Sequence, residues 1–164
     1  MGTGQTLLTI GAMILLGSVI LTTNRSLSET NTVLLNSNIG LEEVSLATSV
    51  IEEAEGKAFD HNTDTTAVTS TSQLTPASQL GPESGDTSAA SFDDFDDFNG
   101  YRQQVTIDSI PYVIYTRVCY VSSSNPSGPA STSPTWNKRM DVWVWSAFAP
   151  DTVKMSTVYS YWNF

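Results

Sequence analysis

The sequence predicts an α+β fold, in which a long amino-terminal α-helix with an apolar first half packs on a carboxy-terminal antiparallel β-sheet of about four strands. Residues 1–59 lack proline and repeat apolar side chains at spacings of three, four and seven, which is typical of a helix. Residues 101–164 hold stretches rich in β-branched and aromatic residues between polar turns, which is typical of strands. We divide the chain into an apolar helix (1–24), its amphipathic continuation (25–59), a Ser/Thr-rich connection with an acidic box (60–100) and the sheet domain (101–164).

The apolar first segment is long enough to cross a membrane. A nearly continuous apolar run covers residues 6–22, about 17 residues, which is the lower limit for a bilayer-spanning helix. No basic residue precedes the run and no small-residue cleavage site follows it, so we do not expect a cleaved secretory signal. Gly4, Gly11 and Gly17 would let other helices approach closely, so we expect helical neighbours.

The second part of the helix carries two apolar stripes. The first stripe consists of Leu27, Leu34, Leu41, Val44, Ala47, Ile51, Ala54 and Ala58. The second stripe consists of Leu35, Ile39, Leu46 and Val50. Glutamates, including Glu42 and Glu43, lie largely between or opposite the two stripes. Two stripes indicate two partners, namely the sheet of the same chain and something outside it; the alternative is a helix buried on both sides within one domain.

The connection between helix and sheet is polar. Residues 61–90 are dominated by Ser and Thr and interrupted by Pro and Gly, so the segment alone should be disordered, and we expect packing against neighbouring subunits to order it. A Ser/Thr-rich surface is also a plausible acceptor of O-linked glycans. The candidate acceptors are Thr69, Ser70, Thr71 and Ser72.

The acidic box follows, with three phenylalanines spaced by three residues: Phe92, Phe95 and Phe98. This spacing predicts a short helical or 3₁₀ turn with its aromatic side buried and its carboxylates outside, and Asn99-Gly100 supplies a turn into the first strand. One interpretation is an aromatic lid with solvated acids. The sharper hypothesis is a calcium site, because calcium prefers oxygen ligands, and its candidate ligands are Asp93, Asp94, Asp96 and Asp97.

The sheet domain should be an antiparallel meander, because its strands are joined by short or polar links. The predicted strands are Tyr101–Ile107, Pro111–Ser122, Lys138–Ala147 and Thr152–Trp162. The third strand could turn either Val142 and Val144 or Trp143 and Trp145 toward the helix. Tryptophans and Phe164 give more aromatic surface than a small sheet can hide, so some should contact neighbouring subunits.

Composition argues against several classes of function. With 17 acidic and 7 basic residues the formal charge is −10, and no basic cluster could neutralise phosphates, so we expect no nucleic-acid partner. The single cysteine, Cys119, cannot form a disulfide within these residues and should be buried on a strand. With one histidine, His61, and no catalytic or phosphate-binding motif, we expect no enzyme, no small-molecule substrate and no cofactor other than the calcium considered above.

Taken together, these features resemble the type IV pilins and the related pseudopilins. The resemblance rests on an apolar helix of about 20 residues that continues into an amphipathic one, the Ser/Thr-rich connection, and the box FDDFDDFNGY before the strands. It covers the whole chain in architecture, while specific residues match only in the opening segment and the acidic box.

The resemblance implies a subunit of a homo-oligomeric helical filament with a methylated amino terminus. The apolar helix would lie in the inner membrane before assembly and in the filament core afterwards, when the subunit is at the cell surface. The residues expected to make assembly contacts are Met1, Gln5, Leu7, Leu8, Ile10, Ile14, Leu15, Val19, Ile20, Leu27, Leu34 and Leu41.

Two departures from the family pattern affect this expectation. Family members usually carry a glutamate where this chain has Gln5, and a glutamine can accept a hydrogen bond from a terminal amine but cannot cancel its charge. Family precursors carry a short basic leader, so we expect Met1 to be the first residue of a mature chain. The alternatives are a pseudopilin of a type II-like secretion machine and a membrane-anchored extracytoplasmic binding domain that does not polymerise.

Overall fold

The helix of this protein is a single continuous element. The computed structural model describes residues 2–162, and helix α1 spans Thr3–Glu55 and passes through Gly40 without interruption. Met1 and Phe164, both named above, lie outside the described residues. The chain forms two compact units, of which the first ends at Asn38 and the second begins at Ile39. The second unit therefore includes the last part of α1.

The second unit contains a four-stranded antiparallel meander in the order β1-β2-β3-β4. Its strands are β1 (Arg102–Ile107), β2 (Ile110–Tyr120), β3 (Asn137–Ser146) and β4 (Thr152–Ser160). The predicted α+β fold is confirmed, and so are its four strands. Sequence reasoning succeeds here because β-branched and aromatic runs between polar breakers are a local signal.

The core lies between the last part of α1 and one face of the sheet. Val142 and Val144 are fully buried, whereas Trp143 and Trp145 are half-buried on the other face, which resolves the alternation left open by the sequence. The helix contributes a buried face, whose residues follow one another at intervals of four, four, three and four positions. They are Ile39, Glu43, Ala47, Val50 and Ala54. This face combines members of both predicted stripes, so the assignment of each stripe to a separate partner is wrong in this part of the helix.

Glu43 is the unexpected member of the buried face, since the sequence pattern placed it outside the stripes. Only 1% of its surface is exposed, and its Oε1 has no hydrogen-bond partner among the described residues. Burial raises the pKa of Glu43, a hydrogen bond from the backbone of Ser146 opposes the shift in part, and the charge of Asp151 adds to it. Ionisation of Glu43 therefore opposes folding.

Glu43→Gln should stabilise the protein at neutral pH. A carboxyl whose pKa is raised on folding stabilises the protein below its unfolded pKa, and this contribution is lost as the pH rises through the folded pKa. We expect a gain of about 2–4 °C in Tm at pH 7 and no gain at pH 4, measured by tryptophan fluorescence of the full chain in detergent micelles. Glu42→Gln, at an exposed neighbouring position, is the matched control. An equal gain at both pH values would contradict this explanation.

The polar connection is packed by the chain itself. Val68 and Leu74 are buried in a second apolar cluster with Phe59 and Tyr120. Two 3₁₀ turns, at residues 61–63 and 71–73, are capped by side chains of the residues that precede them. Neighbouring subunits are thus not needed to explain the order of this segment, because two apolar side chains among many polar ones suffice to attach it.

Candidate functional site

The first candidate site is the exposed apolar surface of α1. Large apolar side chains from Leu7 to Leu35, together with Leu41, are exposed to between 51% (Ile20) and 75% (Leu8). All predicted assembly residues that the structure describes are exposed, including Gln5. Burying such a side chain is worth about 1.5–3 kcal/mol, so this surface is suited to an apolar environment rather than to water.

The hydroxyl groups of this segment are satisfied within the helix. Each Ser or Thr between residues 6 and 23 donates a hydrogen bond to a backbone carbonyl three or four residues earlier. For example, Ser18 Oγ lies 2.8 Å from the Leu15 carbonyl oxygen, and Thr22 Oγ1 lies 2.8 Å from that of Ser18. Because no donor is left without a partner, these residues can enter a dry environment at little cost.

Of the helices in residues 2–162, α1 alone is long and apolar enough to cross a membrane. The property belongs to its amino-terminal part, where the apolar window is entirely unburied. The helix is therefore consistent with membrane anchoring, as the sequence predicted.

The second candidate site is a buried charge network around Lys138, on β3. Lys138 Nζ lies 2.9 Å from Asp60 Oδ2 and 2.7 Å from the carbonyl oxygen of Phe59, and it also contacts Asp96 Oδ1. The side chains of Lys138, Asp60 and Asp96 are all fully buried. Lys138 thus joins the segment after α1 to the acidic box, because that segment supplies Asp60 and the box supplies Asp96.

Asp60 is the better satisfied of the two acids. It accepts hydrogen bonds from the backbone of Asn62 and Thr75 and from the hydroxyl of Tyr120, the last at 3.0 Å. Burial alone would raise the pKa of Asp60, but Lys138 and these backbone donors hold it below its usual value. For Asp96, burial outweighs the effect of Lys138 and raises the pKa.

The acidic box differs from its prediction in one respect. The 3₁₀ turn at Asp96–Phe98 and the three buried phenylalanines are as expected. However, Asp94, Asp96 and Asp97 are buried too, and only Asp93 is exposed. The expectation of solvated carboxylates is therefore wrong for those three residues, because each has a polar partner inside the fold.

Two of these aspartates cap the backbone of the box itself. Asp97 Oδ2 accepts from the backbone N–H groups of Asp93 and Asp94, at 2.9 and 3.1 Å. Asp94 Oδ1 accepts from those of Asp96 and Asp97, at 2.7 and 3.2 Å. Burial, followed by repulsion from Asp96, raises the pKa of Asp94 to about 8.

The connection brings further acids to the box. Glu83 and Asp86 lie on one turn, closed by a 3.1 Å hydrogen bond from the Asp86 N–H to the Glu83 carbonyl. This turn requires Gly85, whose φ is +127°. Carboxylate oxygens of Glu83, Asp86, Asp93 and Asp97 all lie within 4.8 Å of one another.

Asn99 attaches the segment just before this turn to the sheet. Its Nδ2 donates to the Leu80 carbonyl at 2.9 Å, and its Oδ1 accepts from the backbone N–H of Val118 on β2 at 3.0 Å.

Burial and the neighbouring Asp97 carboxyl raise the pKa of Glu83 to about 7. Sequence reasoning missed Glu83, Asp86 and Lys138, and only the abundance of acids near the box could have suggested the first two.

Other residues singled out in the sequence lie apart from this cluster. The candidate glycan acceptors Thr69, Ser70 and Ser72 are exposed and Thr71 is half-buried. Cys119 is buried on β2, as predicted. Trp136 stacks on Tyr161 with ring centroids 5.5 Å apart, and Trp162 is exposed, so part of the aromatic surface remains uncovered in the described chain.

The fold and this helix define a class of architecture, an α+β domain that begins with a helix able to cross a membrane. The chain matches no protein-family model, no curated protein sequence and no solved structure.

Proposed function

We propose that this chain is the structural subunit of an extracellular helical filament of the type IV pilus kind. It would be held in the inner membrane by residues 6–22 and would then polymerise with copies of itself through α1. The observation that supports the proposal best is the length of the exposed apolar surface. It continues through Leu27, Leu34 and Leu41, well beyond the stretch that a bilayer can cover.

The geometry of the helix makes this argument quantitative. At 1.5 Å per residue, Leu34 lies about 18 Å beyond Thr22, the end of the apolar run. A membrane anchor needs no apolar side chains at that distance, whereas a bundle of helices does. Bilayer and bundle are both dry, so the internally bonded hydroxyls of the segment suit both environments.

The same helix could serve a secretion pseudopilin, which forms short assemblies. Only the length of the assemblies formed therefore distinguishes a pseudopilin from a filament subunit. A domain that is merely anchored needs the membrane span alone. Gln5 would lie among apolar neighbours in a filament, where it could accept a hydrogen bond from the terminal amine of another copy.

Gly11→Leu combined with Gly17→Leu separates assembly from anchoring. A Cβ atom at either glycine meets nothing within 4 Å, so the isolated chain accepts leucine there. Leucine also makes the segment more apolar, so anchoring should persist. Helices that pack through small residues cannot approach as closely. We expect the fibre yield to fall at least tenfold, counted by negative-stain microscopy of material sheared from cells, with unchanged membrane fractionation.

Met13→Leu, at a 73% exposed position of the same segment, is the control and should leave fibres unchanged. Wild-type fibre yield in the double glycine variant would contradict close helix packing. Monodisperse particles from the wild-type chain would favour the anchored domain, and a secretion defect without visible fibres would favour the pseudopilin.

A further inference from the structure

The acidic cluster between the connection and the box contains buried oxygens that lack partners. Asp97 is fully buried, and while its Oδ2 caps the backbone, its Oδ1 has no hydrogen-bond partner in residues 2–162. The same holds for Oε2 of Glu83. A buried acceptor without a donor is costly, and the Glu83 and Asp97 carboxyl groups lie within hydrogen-bond distance of each other. This arrangement indicates that something positive belongs beside these oxygens.

The protein itself supplies no such charge. Within the described part of the chain, no lysine or arginine lies within ion-pair distance of Glu83, Asp86, Asp93 or Asp97. The imidazole of His61 lies beside the cluster, with its Nδ1 3.9 Å from Asp93 Oδ1, and it carries a positive charge only when it is protonated. The neighbouring Lys138 is already shared between Asp60 and Asp96. Four carboxylates therefore converge without a protein counter-ion.

We propose that Glu83, Asp86, Asp93 and Asp97 bind a calcium ion. The four donors are all oxygens, the ligand type that calcium prefers, and carboxylates can bind it through one or both oxygens with water completing the shell. Their mutual separation also fits, because two oxygens on opposite sides of a calcium ion, each at about 2.4 Å, are about 4.8 Å apart. The ion would join the turn at residues 83–86 to the acidic box.

This donor set differs from the four box aspartates that the sequence suggested. Asp96 is left out because Lys138 occupies it. Asp94 belongs to an overlapping group with His61, Glu83 and Asp93, in which a nitrogen replaces one oxygen. A nitrogen donor suits transition metals better than calcium, so the oxygen-only group is the one that we assign. The proposal does not depend on whether the chain forms filaments.

Calcium chloride titrated into the metal-free full chain in detergent micelles tests the site. We expect one calcium per chain by calorimetry with a Kd below about 1 mM, the range of extracellular calcium modules. Saturating calcium should raise Tm by about 5 °C or more, and magnesium at matched ionic strength should raise it less. Absence of binding heat at millimolar calcium, or equal shifts with magnesium and sodium, would overturn the proposal.

Two variants locate the ion. Asp86→Asn and Asp93→Asn each remove a ligand whose side chain makes no hydrogen bond within residues 2–162, so Tm in chelator should not fall. Each should weaken calcium binding at least tenfold. Asp64→Asn, an exposed acid of the same connection outside the cluster, should not. Equal weakening by Asp64→Asn would overturn the site, and so would loss of binding with His61→Gln but not with Asp86→Asn.

Discussion

Lys138→Met is expected to lower the free energy of unfolding by about 3–5 kcal/mol, because removing one partner of a buried ion pair leaves an uncompensated charge. Here two carboxylates, of Asp60 and Asp96, lose the same cation inside the fold. Methionine preserves most of the side-chain volume, so the effect is electrostatic rather than a cavity. The measurement is urea unfolding of the full chain in detergent micelles, followed by tryptophan fluorescence.

Lys154→Met is the matched control. Lys154 is half exposed, and its Nζ lies 3.8 Å from Asp141 Oδ1, so its pairing is largely screened by water. We expect a change of about 1 kcal/mol or less. Adding Asp96→Asn to Lys138→Met should recover part of the loss, whereas Asp96→Asn alone should destabilise, because a shared charge makes the two substitutions non-additive. A loss no greater than that of Lys154→Met would show that the network contributes little.

The elements of this fold are predictable because their signals are local. Strand β2 combines β-branched and aromatic residues without interruption, and helix α1 lacks proline throughout. The face of β3 that turns inward was not predictable, since valines and tryptophans alternate and both kinds of residue are commonly buried. Only the packing of the helix, which brings Ala47 and Ala54 close to the sheet, favours the smaller valines.

The charged sites could not be predicted for a different reason. Lys138 pairs with Asp60 and Asp96, which are 78 and 42 residues away in the sequence. Hydrophobic periodicity contains no information about such long-range pairs. A sequence pattern rightly treats an isolated aspartate as exposed, because its burial depends on a partner that the pattern does not contain. Glu43 is a different case, because it is buried through its position on the packed face of α1 and forms no ion pair within residues 2–162.

Leu15→Asp should abolish both membrane retention and fibre formation. Leu15 is 69% exposed near the middle of the apolar run. On insertion scales, replacing leucine by aspartate at the centre of a spanning helix costs about 3–4 kcal/mol, which is a few hundred-fold in the inserted fraction. A helix bundle is equally dry and penalises an unpaired carboxylate in the same way. The measurements are membrane fractionation and counting of sheared fibres.

Asn31→Asp adds the same charge to an exposed position of the same helix outside the apolar run. It should change membrane retention and the number of fibres little. Neither change touches the second compact unit, which begins at Ile39, so the fluorescence-detected Tm should match the wild type in both variants. The two readouts need not fail together. If Leu15→Asp released the chain from membranes while fibres still formed, the apolar surface would be an anchor only, and polymerisation would have to use a different face of the molecule.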